Sequence, residues 1–176
     1  MASSTALSVL AALLLLAAAG APASAAEKET RLRVYWHDVV SGGPNARVVQ
    51  VAEAPSSNAS ATGFGTVLVI DDPVTEGPNL TSRLLARAQG MYISAGKDSV
   101  SLFVAMNFVF VDGAYNGSSI AIFGANQADR AVREMPVVGG TGVFRFARGY
   151  CQLRTYRFDA KTGDATVEYM IHLRHD

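Results

Sequence analysis

The stretch Val132–Gly149, "VREMPVVGGTGVFRFARG", sets Gly139, Gly140 and Gly142 among a proline and three arginines, between two apolar runs. It either cradles a phosphate, which would make the chain an α/β nucleotide binder, or turns the backbone between two strands. A dinucleotide fingerprint needs G-x-G-x-x-G at the opening of a helix. Gly140 and Gly142 fill the first two places, but the third falls on Arg145. The residues around it, Val143, Phe144, Phe146 and Tyr150, are aromatic or β-branched rather than helix-forming. A P-loop needs Gly-Lys followed by Ser or Thr, and this stretch has none. What stands is a set of glycines supplying positive φ for a tight turn or bulge between strands.

The flanking sequence agrees. Helical periodicity is nearly absent after the N-terminal segment, whereas period-two alternation recurs. In "ATVEYMIHL", Ala165, Val167, Tyr169, Ile171 and Leu173 fall on one face and Thr166, Glu168, Met170 and His172 on the other. The turn "DAKTGD" around Gly163 joins this strand to the run from Phe144 to Phe158. Further strands are "RLRVYWHD", "ARVVQVAE", "FGTVLVID", "ARAQGMYIS", "DSVSLFVAMNFVFV" and "SSIAIFG". About eight strands at hairpin spacing predict an all-β fold, an eight-stranded antiparallel up-and-down β-barrel of lipocalin type. Closure removes exposed edges and can enclose one small ligand. A β-sandwich is the alternative. "VSLFVAMNFVFV" is apolar on both faces, as expected of a wall covered by a partner subunit. "APSSNASATG", "DDPVTEGPNLTS" and "ANQADRAVRE" are the candidate rim segments, where function concentrates.

At 176 residues the chain suits one domain. Its N-terminus, "ALSVLAALLLLAAAGAPASAA", ends in Ala23-Ser24-Ala25, a small-residue cleavage pattern. Residues 1–25 are thus expected to be a signal peptide and 26–176 the barrel domain, since the apolar run is short for a membrane span. Sequons at Asn58, Asn79 and Asn116 lie among loop-forming residues and fit a secreted glycoprotein. Lys plus Arg equals Asp plus Glu, so no global field attracts nucleic acid or an anionic membrane. The single cysteine, Cys151, excludes a disulfide within the chain and is read as a buried small hydrophobe. His37, His172 and His175 lack ligand-like spacing, so no metal site is expected.

Two places carry carboxylates of interest. Alternation along the first strand puts Leu32, Val34, Trp36 and Asp38 on one face. An acid there lines a wet cavity with a raised pKa, or else the strand has ended and Asp38 opens the "SGGPN" turn; spacing alone leaves both readings open. Asp71 and Asp72, before Pro73, are read as turn chemistry at a strand end in preference to a catalytic pair.

Three segments, "FGTVLVIDDPVTEGPNLTSRLLARAQGMYISAGKD", "MNFVFVDGAYNGSSIAIFGAN" and "VREMPVVGGTGVFRFARGY", resemble the motifs of plant dirigent proteins. The resemblance runs from His37-Asp38 through "TGDATVEY". It implies a barrel secreted to the apoplast, a homodimer or homotrimer, that binds phenoxy radicals or the quinone methides formed when they couple. A separate laccase or peroxidase would oxidise a monolignol such as coniferyl alcohol, and the barrel would fix which faces meet, giving optically active lignans without a cofactor of its own. It also implies roles for residues: Asp38 as the pocket acid that protonates the quinone-methide oxygen, Arg133 as the arginine of the "REM" motif at the cavity mouth, and Tyr92 as a pocket-lining tyrosine. The second pocket acid of lignan-forming members is here Asn126, and an amide does not serve as a proton-donating acid. That departure points toward other branches: a dehydratase or cyclase of the pterocarpan synthase type acting through a quinone methide, or a protein that patterns lignin or only binds ligand.

Overall fold

The computed structural model describes residues 27–43 and 46–176; the expected signal peptide lies outside them. Among the described residues the strands are β1 (Lys28–Asp38), β2 (Val48–Ala52), β3 (Val67–Thr75), β4 (Leu84–Ser94) and β5 (Ser101–Phe110). They continue as β6 (Ser119–Gln127), β7 (Arg133–Thr141), β8 (Arg148–Phe158) and β9 (Ala165–His175). All pairings are antiparallel, in the order β1-β9-β8-β7-β6-β5-β4-β3-β2. Pairing of Tyr35 with Thr75 and of Trp36 with Val74 joins β1 to β3 and closes an eight-stranded barrel, with β2 as an extra strand on β3. The expected barrel is the observed fold.

Its membership differs from the sequence reading in one exchange. "VVQVA", within the expected "ARVVQVAE", forms β2, which pairs only with β3, and the missing wall strand is β7, within Val132–Gly149 itself. Pro136 and two glycines argue locally against a strand. Alternation overrides them, because Arg133, Met135 and Val137 are buried while Glu134, Pro136 and Val138 face out. The ladder to β6 skips Val138, pairing Ala121 with Gly139 and Ile122 with Val137, so the expected bulge is present. Only Gly142 of the three central glycines has positive φ, +62°, and it starts the turn into β8. Gly140 serves closeness instead: a Cβ there would lie 2.5 Å from the Phe144 carbonyl oxygen.

Asp71-Asp72-Pro73 is likewise not a turn but the middle of β3. Pro73 is tolerated for a reason visible only in the closed barrel. β2 stops pairing at Ile70 and β1 starts at Val74, so the missing N–H falls where β3 changes partners. The connection to β4 shrinks to residues 76–83.

Inward residues fill most of the lumen, with Phe108, Ile120, Ile122, Met135, Phe144, Leu153, Tyr169 and Ile171 all buried. Cys151 belongs to this core, and burial pushes its thiol up to about 12, which fits an inert packing role. On the outer surface the cross-strand partners Val49, Val69, Met91, Ala105 and Phe123 form an apolar row over β2 to β6. Phe103 packs edge-on against Phe123, with ring centroids 5.0 Å apart, and widens the row.

Candidate functional site

Packing gives out at one end of the barrel, leaving a cavity of about 710 Å³. Its wall includes Trp36, Leu102, Phe158 and Val167, and its polar groups include Asp38, Asn126, Arg133 and Thr155. The segment 128–131 between β6 and β7 lines it too, as a rim.

Asp38 is the last residue of β1 and pairs with Ala165 at the start of β9, so it keeps the inward register of Val34 and Trp36. Of the two readings of Asp38, the acid at a cavity is the one observed. The Tyr92 hydroxyl approaches its two carboxylate oxygens at 3.3 and 3.4 Å. Burial, with the negative charge of Asp72 in support, pushes Asp38 up to about 7. Tyr92 itself is driven well above the usual phenol range by burial and by the Asp38 carboxylate, so it stays a neutral donor.

Arg133 opens β7 and is 5% exposed, deeper than the mouth position expected of it. Its Nε donates to the Asn126 Oδ1 at 3.2 Å, and its Nη1 to the Thr155 hydroxyl at 2.8 Å and the Arg130 carbonyl at 3.3 Å. Among the described residues no carboxylate forms an ion pair with it. A buried guanidinium with no carboxylate partner among the described residues, and with Nη2 left over from these bonds, can donate to an oxygen-rich or anionic atom. Asn126 is spent on orienting it.

The structure therefore brings Asp38, Tyr92, Asn126 and Arg133 to one end of the lumen. The sequence reading missed Asp72. This residue is fully buried, accepts the Trp36 indole N–H at 3.0 Å and the Val39 amide N–H at 3.2 Å, and is pushed up to about 6 by burial. Its neighbour Asp71 points outward to Arg87 at 2.7 Å. The signal was available, since Asp72 shares its alternation face with Ile70 and Val74, as Asp38 does with Val34 and Trp36. Asn58, Asn79 and Asn116 are all exposed, in a one-turn helix, the β3–β4 loop and the β5–β6 loop. Arg145 is also exposed, and Arg148 pairs with Glu27 at 2.5 Å, so neither serves the cavity. Among the described residues no cluster of His, Cys, Asp or Glu is arranged to hold a metal.

Comparison with known proteins gives this geometry its relatives. The family model described as Dirigent-like protein matches residues 29–174. Dirigent protein 21 of Arabidopsis thaliana is 47% identical over 154 residues, covering 88% of this chain and 81% of its own. Pterocarpan synthase 1 of Glycine max is 45% identical over 150 residues, covering 85% and 80%. The solved structure of a pterocarpan synthase dirigent protein superposes with a TM-score of 0.80 at 46% identity, covering 88% of this chain and 89% of that one. A closed antiparallel barrel, with the similarity extending over nearly the whole described chain, has one consistent reading: the protein belongs to the dirigent family.

Proposed function

We propose that this protein binds a phenolic aromatic substrate in the barrel cavity and works at the quinone-methide level, with Asp38 as its proton donor. The observation that carries this is a carboxyl group raised to about 7 in a cavity that also holds apolar walls and an arginine with no carboxylate partner among the described residues. A general acid works best when its pKa lies near the working pH.

The first reading is a dehydratase or cyclase, and it is supported by the similarity to relatives named pterocarpan synthase. The substrate is a phenol bearing a benzylic hydroxyl and a second, internal hydroxyl. Asp38 gives its proton to the benzylic oxygen, the carbon–oxygen bond breaks, and water leaves while the phenol O–H proton passes to solvent. The product is a neutral quinone methide, whose oxygen suits the free nitrogen of Arg133. The internal hydroxyl then adds to the benzylic carbon and returns its proton to Asp38, as the quinone-methide oxygen takes one from solvent. One water is lost overall. Asn126, standing where lignan-forming members carry an acid, favours this single-acid reading.

The second reading is stereocontrol of phenoxy-radical coupling with a separate laccase or peroxidase, favoured by apolar walls able to hold two rings. A tenfold preference between faces needs only about 1.4 kcal/mol. One pair of incubations separates the readings. An isoflavan carrying a benzylic hydroxyl should lose water and cyclise with the protein alone, and coniferyl alcohol with laccase should give racemic product. An excess of one enantiomer from coniferyl alcohol, with no dehydration, reverses the choice. A ligand bound without change to either product overturns both.

Secretion to the apoplast, glycosylation and self-association belong to the same reading. Support comes from the small-residue pattern Ala23-Ser24-Ala25, three exposed sequon asparagines, and the apolar row from Val49 to Phe123. A homodimer or homotrimer would cover that row, since exposed apolar patches of this kind mark interfaces. The protein from plant tissue should be found outside the cell and should run faster on a gel after endoglycosidase treatment; an intracellular protein of unchanged mobility contradicts this.

A further inference from the structure

We infer that Asp72 is the positioning residue for the acid at Asp38: from β3 it grips the chain on both sides of that residue and keeps Asp38 protonated and facing the cavity. The inference rests on Asp38 being the proton donor. Each Asp72 oxygen has one use. Oδ2 accepts the indole N–H of Trp36, two residues before Asp38, and Oδ1 accepts the backbone N–H of Val39, one residue after it. The clamp sits where β1 leaves β3, just beyond the last pair, Trp36 with Val74. It therefore ties β1 to β3 beyond their last paired residues, and holds the Trp36 indole in the cavity wall.

The second effect is electrostatic. A carboxylate beside another disfavours the second charge, so an ionised Asp72 keeps the proton on Asp38. Asp72 accepts two N–H groups and feels the Arg87 charge, so of the two it is the one that gives up its proton first. The groups around them divide by strand. Asp38 is faced by Asp72 from β3, by the Tyr92 hydroxyl from β4 and by Asp164 from the turn before β9, while Tyr169 of β9 feels its charge. Asp72 is influenced by Asp71 on its own strand and Arg87 on β4, the cation that helps it stay ionised. Across the cavity Arg133 is engaged with Asn126 and Thr155. Burial is the main reason Asp38 holds its proton; Asp72 adds to it, and the Tyr92 hydroxyl, bonded to Asp38 and stabilising its charged form, opposes both.

The test is the pH profile of the cyclisation assay for full-length wild type and Asp72→Asn, across about pH 5 to 9. Removing the charge should move the descending, alkaline limb down by about half to one pH unit. On that limb the rate falls roughly three- to tenfold beyond any change in the low-pH plateau. A limb that stays put overturns the inference. The introduced amide would also turn an NH₂ toward one of two donors; if the variant does not fold, carboxyl ¹³C titration of wild type decides. Two coupled steps are expected there, and an Asp38 that titrates in one step in the ordinary carboxylate range overturns the inference. Asp38→Asn separates the levels. If it is inactive while Asp72→Asn keeps the wild-type limb, only the role of Asp72 falls; if it is fully active, the reading of Asp38 falls first.

Discussion

Asp38→Asn should cut turnover by about 10²- to 10⁴-fold while raising the stability of the protein above neutral pH. The first effect follows from removing the one cavity acid whose pKa, about 7, suits proton donation, with the shape of the side chain retained. Activity of wild type should accordingly be flat below neutrality and fall as pH rises through about 7, because the protonated form is the working one. The second effect follows from linkage. Asp38 goes from an ordinary value of 3.8 to about 7 on folding, so its contribution to stability is fully present below 3.8 and is lost as pH rises through 7. An amide has no such dependence. Thermal unfolding at about pH 8 should show the variant melting several degrees above wild type, and at about pH 4 the two should nearly coincide. Opposite signs for activity and stability mark a functional carboxylate kept in an unfavourable place. Retained turnover with an unchanged pH profile would leave cavity shape alone to direct the reaction.

The barrel was legible because its strands alternate, and alternation needs no knowledge of what lies opposite. β9 shows it cleanly, and alternation along β1 set Asp38 on the face of Val34 and Trp36 while leaving open whether the strand had already ended. What stayed hidden depended on partners far along the chain. Pro73 is admissible because β3 exchanges β2 for β1 around it, and nothing local to "DDPVT" announces that. Pro136, Gly139 and Gly140 lower the strand propensity of β7, which is held by buried Met135 and Val137 and by ladders on both sides. Arg133 and Asn126 were singled out through resemblance to the dirigent family. Their mutual hydrogen bond has no sequence signature, since only the β6–β7 connection sets the two side chains together. Asp72 was the avoidable omission, hidden by a strong turn signal from its two neighbours.

Gly149→Ala should be the most damaging single change in the stretch Val132–Gly149, costing more than about 4 kcal/mol or preventing folding. Gly149 lies inside β8, with φ +157°, and pairs with Leu173 of β9. A Cβ built there would sit 2.0 Å from the carbonyl oxygen of His172. No rotamer relieves that clash, because both sides are backbone. Relief requires β8 to move away from β9, and these two strands supply Thr155 and Val167 to the cavity wall. Gly139→Ala is the matched control: its φ is not positive, and no atom stands within 4 Å of the added methyl. That change should lie within about 1 kcal/mol of wild type, and can even stabilise by restricting the unfolded chain. Urea midpoints of the two variants settle the matter, since they carry the same chemical change ten residues apart. Equal midpoints would mean that the β8–β9 contact is looser than this spacing implies. A collapse confined to Gly149→Ala would show that, of these two glycines, the one the fold requires lies in the strand after the turn, where two backbones meet too closely to admit a Cβ.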